Sequence, residues 1–111
     1  MSNKTYDRSQ AESLLPLLDS ILREIEDRRK ILRSQESHKA KIAGSEEAEW
    51  HNLLADIADN KRQLRLAEEE LTRLGCSIEN QKSLLVRIPG QAGESFLWQP
   101  GHPIQELQPI G

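Results

Sequence analysis

The chain has little of what most small domains are built around. Only four residues are aromatic, Tyr6, Trp50, Phe96 and Trp98, and Cys76 is the single cysteine. One cysteine excludes an internal disulfide and fits a reducing compartment, so a cytoplasmic location is expected. Long apolar runs are missing as well; the longest is Leu14-Leu15-Pro16-Leu17-Leu18. That is too short for a signal peptide or a membrane span, and no membrane partner is expected. Positive charge is not in excess: 15 Lys and Arg face 18 Asp and Glu, a net charge of −3. Unselective nucleic-acid binding normally needs a basic excess, so no nucleic-acid partner is expected either. Proline and glycine are almost absent from the first two thirds, where only Pro16 and Gly44 occur before Gly75.

What remains is a chain that is 36% hydrophobic and 30% charged. That balance suits long amphipathic helices better than a thick core. Apolar residues recur from Trp50 through Leu53, Ile57, Leu64, Ala67 and Leu71 to Leu74, with Asn60 as the polar interruption. Alternating steps of three and four make this a heptad seam, which needs a partner helix. The partner lies upstream, in Leu14, Leu18, Ile21, Ile25, Arg28, Leu32, Gln35, Lys39 and Ile42. Asp7 is expected to cap this first helix, with Gln10 completing a capping box and Tyr6 packing on Ala11. Pro16 should loosen or kink the helix without breaking it, because the period continues through it.

Gly44-Ser45 is the one helix-breaking pair in the middle. Gly44 suits the left-handed position after a helix, and Ser45 suits the next N-cap. A short link makes the two helices antiparallel. Folding there pairs positions whose numbers sum to about 88 or 89. Leu18 then faces Leu71, Ile25 faces Leu64, and Lys39 comes near Trp50. Arg28 falls opposite Asn60. The two form a polar layer that fixes register, or Arg28 snorkels out and Asn60 is merely tolerated. Basic residues from Arg28 to Lys41 face acidic residues from Glu46 to Asp59, which favours this register over like-charge alternatives. The Arg28–Arg33 cluster itself is expected to be a solvated face rather than an anion site. Ordinary i, i+4 pairs are expected at Glu24–Arg28, Glu26–Lys30 and Glu69–Arg73.

Gly75 ends the second helix, and composition then changes. Leu84 to Ile88 is a strand signal, Pro89 to Glu94 is turn chemistry, and Ser95 to Gln99 is a second strand. Leu84, Val86 and Ile88 share one face; Phe96 and Trp98 share another. A lone two-stranded hairpin is unstable in water, so its apolar face must be covered. The first helix has apolar surplus at Leu15, Leu17, Leu22 and Ile31 to cover it, or to meet a second chain. The remainder reads as an extended tail.

The order of these signals resembles a known family. Ala11 with Leu14-Leu15-Pro16, a long charged hairpin, Leu74-Gly75-Cys76-Ser77-Ile78, Leu85-Val86 with Pro89, and Leu97-Trp98 closing on Gly101 are similar to domain-of-unknown-function family 2203, a set of small prokaryotic (bacterial) proteins. The resemblance implies no established reaction. It also implies a further segment with a Trp-His pair and an acidic residue, where this chain reads His102-Pro103-Ile104-Gln105-Glu106-Leu107. Activity resident in that segment is therefore not expected here.

Candidate chemistry is sparse. Glu47 and His51 are four apart on one helical face, and the hairpin register brings His38 toward His51. These three are the candidate metal ligands, at the hairpin tip. Cys76 lacks a neighbouring cation or helix N-terminus that would activate it. Gly90-Gln91-Ala92-Gly93 lacks the Lys and Ser/Thr of a phosphate loop. No cofactor and no catalytic set is expected.

The sequence thus specifies a mainly α fold: a long, coiled-coil-like antiparallel helical hairpin followed by a small C-terminal β-hairpin. Residues 1–75 form the hairpin, with a helix over 7–43, a turn at 44–45 and a helix over 46–74. Residues 76–111 form the β-hairpin and tail, packed on the helices or on a second subunit. The expected function is a non-catalytic oligomerisation or protein-interaction module, a homodimer or higher homo-oligomer built as a four-helix bundle. Leu15, Leu22, Phe96 and Trp98 are the expected interaction residues. The alternative is a small metal- or ligand-binding protein, an enzyme included, using the tip histidines or a pocket between helices and strands.

Overall fold

A computed structural model describes residues 4–44 and 46–107 of the chain. Two helices and four strands follow in the order α1 (Arg8–Lys41), α2 (Glu47–Arg73), β1 (Ser77–Asn80), β2 (Leu85–Pro89), β3 (Ser95–Trp98) and β4 (Gln105–Leu107). The molecule is elongated, 60 × 28 × 26 Å.

The start of α1 follows from its first residues. The Asp7 side chain accepts from the Gln10 backbone amide at 2.8 Å, and the Gln10 side chain accepts from the Asp7 amide at 2.9 Å. This reciprocal pair satisfies two amides that helix geometry leaves unpaired. The helix then runs unbroken through Pro16. Its end is set by the turn at Gly44, whose φ of +93° is a left-handed value that side-chain-bearing residues avoid. The N-cap of α2 is Glu46, which makes no side-chain capping bond. Ser45, the expected cap, lies outside the described residues.

The end of α2 is a Schellman motif. Gly75, at φ +82°, donates to the Thr72 carbonyl at 2.9 Å, and Cys76 donates to the Leu71 carbonyl at 3.2 Å. Buried Leu71 and Cys76 provide the apolar contact that accompanies this motif.

The C-terminal part departs from expectation. It is a four-stranded antiparallel sheet in the order β1-β2-β3-β4, not a two-stranded hairpin with a tail. The inner strands β2 and β3 are the two whose alternation was legible; Val86, Ile88, Phe96 and Trp98 are buried. The added edge strands carry the sequences SIEN and QEL, mostly polar and exposed. Polar edges discourage pairing with other chains, and for the same reason they give no apolar alternation to read. A fifth segment joins the sheet: Tyr6 forms a parallel bridge with Gly90, and its amide donates to the Pro89 carbonyl at 3.0 Å.

Sheet and helices share one core, continuous across the boundary at residue 75. Ala11, Leu18, Ile21, Leu22 and Ile25 of α1 meet Ala67 and Leu71 of α2 and the inner face of β2 and β3. Of the surplus apolar residues of α1, Leu22 is fully covered and Leu15 partly, while Leu17 and Ile31 stay exposed. The sheet covers only the proximal half of the hairpin. Beyond Ile25 the buried residues are Leu53, Ile57 and Asn60, all on α2, outside the main core.

Candidate functional site

Among the described residues, polar chemistry gathers at the middle of the helical seam, at the hairpin tip and in a cleft beside the β1–β2 turn.

In the seam, Asn60 is buried, with 3% exposure. Its side-chain amide donates to the Arg28 backbone carbonyl at 3.0 Å and to Gln35 Oε1 at 3.4 Å. Its oxygen accepts from Arg28 Nη1 at 3.1 Å. Arg28 is anchored in turn by Glu24, at 2.7 Å. Arg28 therefore stays in the seam rather than snorkelling out. Among the described residues, no buried side-chain polar atom lacks a partner, as burial requires. Such a layer sets register at a cost in stability.

At the tip, Glu47 and His51 lie 3.3 Å apart on α2. His38, on α1, sits 3.8 Å from Glu49 instead. Among the described residues, no three His, Cys, Asp or Glu side chains converge closely enough to hold a metal ion. Lys39 lies 6.0 Å above the Trp50 ring, as the register required, at the outer limit of a cation–π contact.

The cleft lies between the middle of α1 and the β1–β2 turn. Its volume is about 590 Å³, and Glu26, Arg29, Lys30, Arg33, Gln81, Lys82 and Leu84 line it. Arg29 and Arg33 are one turn apart on the helix and so share a face. The turn presents Lys82 from the other side. Asn80 shapes that turn: its side-chain oxygen accepts from the Lys82 and Ser83 amides at 2.9 and 3.2 Å. Leu84, buried beneath, holds φ +56°, a left-handed conformation rare for a branched apolar residue. Lys30 pairs with Glu26 at 2.8 Å, which holds the Glu26 carboxyl below the usual range. Arg29 reaches Glu68 at 3.8 Å. Arg33 and Lys82 have no ion-pair partner among the described residues.

The sequence pointed to the α1 half of this cleft but assigned it to solvent. It missed the other half. The Asn80-Gln81-Lys82-Ser83 stretch carries an Asx-turn signal, and that signal could have placed Lys82.

The residues expected to meet a partner lie elsewhere. Leu22, Phe96 and Trp98 are buried within the chain, at 0%, 1% and 6% exposure, because the sheet folds onto α1. Leu15 is half-buried against the same core. The large apolar residues left exposed are Leu17, Ile31 and Leu66. Glu69 pairs with Arg65 on its N-terminal side, not with Arg73. Cys76 is buried, and burial pushes its thiol up to about 11, the opposite of activation. Among the described residues, no helix is long and apolar enough to cross a membrane.

The pattern defining a family described as "Uncharacterized conserved protein (DUF2203)" matches residues 4–102. No curated protein and no solved structure matches the chain. The match takes in nearly every residue described above, and the chain belongs to that family.

Proposed function

We propose that this member of the family is a non-catalytic protein-interaction module that self-associates through the distal arm of its helical hairpin. The observation that supports this reading is the bareness of that arm. The proximal half of the hairpin has a third layer, the sheet; the distal half has none. A two-helix rod alone is a marginal structure in water, and a second hairpin would supply the missing layer.

Charge favours a second copy as the partner. The distal part of α1 carries Arg28, Arg29, Lys30, Arg33, Lys39 and Lys41, and the facing part of α2 carries Glu46, Glu47, Glu49, Asp56 and Asp59. A two-fold axis would set the basic flank of one arm against the acidic flank of the other, an arrangement that is self-complementary by symmetry. Ile31, exposed at 44% on α1 within the arm, supplies apolar surface there.

Sedimentation or light scattering of the full chain at micromolar concentration tests this. A dimer is expected, and Ile31→Asp should return it to monomer with unchanged helicity. A wild-type monomer throughout that range overturns the reading.

A further inference from the structure

We propose that the cleft between α1 and the β1–β2 turn binds a small phosphate ester, with Arg29, Arg33 and Lys82 holding the phosphate. Its Arg29 and Arg33 also belong to the basic flank named above, so a phosphate ester and a second copy would compete for them, whereas Lys82 and Leu84 lie outside that flank.

The argument begins with charge. The chain as a whole is acidic, yet four cations and one carboxylate line this cleft. Lys30 is already matched by Glu26, whose carboxyl Arg33 also helps to lower, and Arg29 reaches Glu68 at 3.8 Å. Arg33 and Lys82 are not matched within the described residues, and they belong to different elements, so the fold itself brings them to one hollow. Two arginines one helical turn apart present planar forks suited to phosphate oxygens, and a lysine opposite adds a point charge. A single carboxylate would neutralise less of this charge than a dianionic phosphate.

Size and shape point the same way. A volume of about 590 Å³ exceeds what a bare phosphate needs and lies within the usual range for small-ligand sites. Leu84 supplies an apolar floor, and it is held there in a left-handed backbone conformation. Such conformations cost energy and recur where a chain clamps a ligand. A second hollow of about 320 Å³ shares Glu26 and Leu84 with the first and adds Asp27. Those carboxylates would accept from hydroxyls on the organic part. A hydroxylated phosphate ester of mononucleotide size fits both hollows together.

The test is titration of the isotope-labelled full chain, followed by amide NMR, with adenosine 5′-monophosphate, inorganic phosphate and adenosine. The nucleotide should shift the amides of Arg29, Arg33, Lys82 and Leu84 saturably. Inorganic phosphate should shift the same Arg and Lys amides more weakly, and adenosine should leave them unmoved. Arg33→Glu with Lys82→Glu should weaken nucleotide binding by about tenfold or more, with an unchanged far-ultraviolet spectrum. Both positions are exposed, so the variant is expected to fold; Arg33→Gln with Lys82→Gln provides the same readout if it does not. Equal shifts at Arg62, Arg65 and Arg73, a failure to saturate, or equal binding of adenosine would overturn the proposal. Tighter, strongly salt-dependent binding of an oligonucleotide on the same residues would overturn it in favour of a nucleic-acid surface.

Discussion

The Tyr6 hydroxyl donates to the Leu74 carbonyl oxygen at 2.7 Å, joining the residue before the N-cap of α1 to the C-cap of α2. The same residue's backbone bridges Gly90 at the end of β2. One side chain and its amide thus tie both helices and the sheet together at one end of the molecule. Replacing Tyr6 by Phe removes the hydroxyl while keeping the ring. The loss should be about 1 kcal/mol, a fall of several degrees in Tm for a domain of this size. Thermal unfolding followed by circular dichroism measures it, and an unchanged Tm would mean that the bond contributes nothing.

Arg28 and Asn60 make a second cross-helix pair, with the opposite balance of effects. Asn60→Ala should destabilise by about 1–3 kcal/mol, because Arg28 then loses its partner inside the seam. Changing both residues to Leu should instead raise Tm, since an apolar layer replaces a polar one. The expected accompaniment is broader or doubled amide resonances along the arm, reporting lost register. A lower Tm in the double variant would contradict the assigned role.

Gly90 and Gly44 should respond differently to alanine. At Gly44 an added Cβ meets nothing within 4 Å, so only the left-handed backbone resists the change. The effect should be about 1 kcal/mol. At Gly90 the Cβ would lie 2.7 Å from the Glu94 carbonyl oxygen. That oxygen also accepts the Gly90 amide at 2.9 Å, so the turn must open to make room. The added strain should be about 1–3 kcal/mol, making Gly90→Ala the more damaging of the two in denaturant titration.

Alkaline pH should weaken the fold through Cys76. Burial raises its thiol from 9.0 to about 11. Between those values the unfolded chain has lost the proton while the folded chain keeps it. Stability is therefore fully present below about pH 9 and falls as pH rises toward 11. Tyr6 is also raised, chiefly by burial and then by the Cys76 charge, and it acts in the same direction. Cys76→Ala should flatten the slope of Tm against pH across this window, leaving the shares of Tyr6 and of Lys30, which Glu26 also raises. An identical slope in that variant would show that the thiol plays no part.

The helical hairpin was legible because its signals are local and periodic. A heptad seam, a capping box and one mid-chain glycine place both helices within a few residues of their observed ends. The inner strands were legible by alternation. Ser77–Asn80 and Gln105–Leu107 were not, because edge strands with mostly exposed polar residues bury too little to leave a pattern. The misplacement of Leu22, Phe96 and Trp98 has the same origin. Sequence shows that a face is apolar but not which surface covers it, and here the sheet does. The cleft was half-visible for a related reason: Arg29 and Arg33 are near neighbours in the chain, whereas Lys82 meets them only through the fold.

The bond from Tyr6 to Pro89 also bears on how the chain is made. During synthesis the first helix leaves the ribosome long before β2 exists. The face of α1 around Leu22 lacks its sheet cover until the last third of the chain is translated. The nascent protein therefore passes through a stage at which its stickiest surface is open to chaperones and to sister chains on the same messenger.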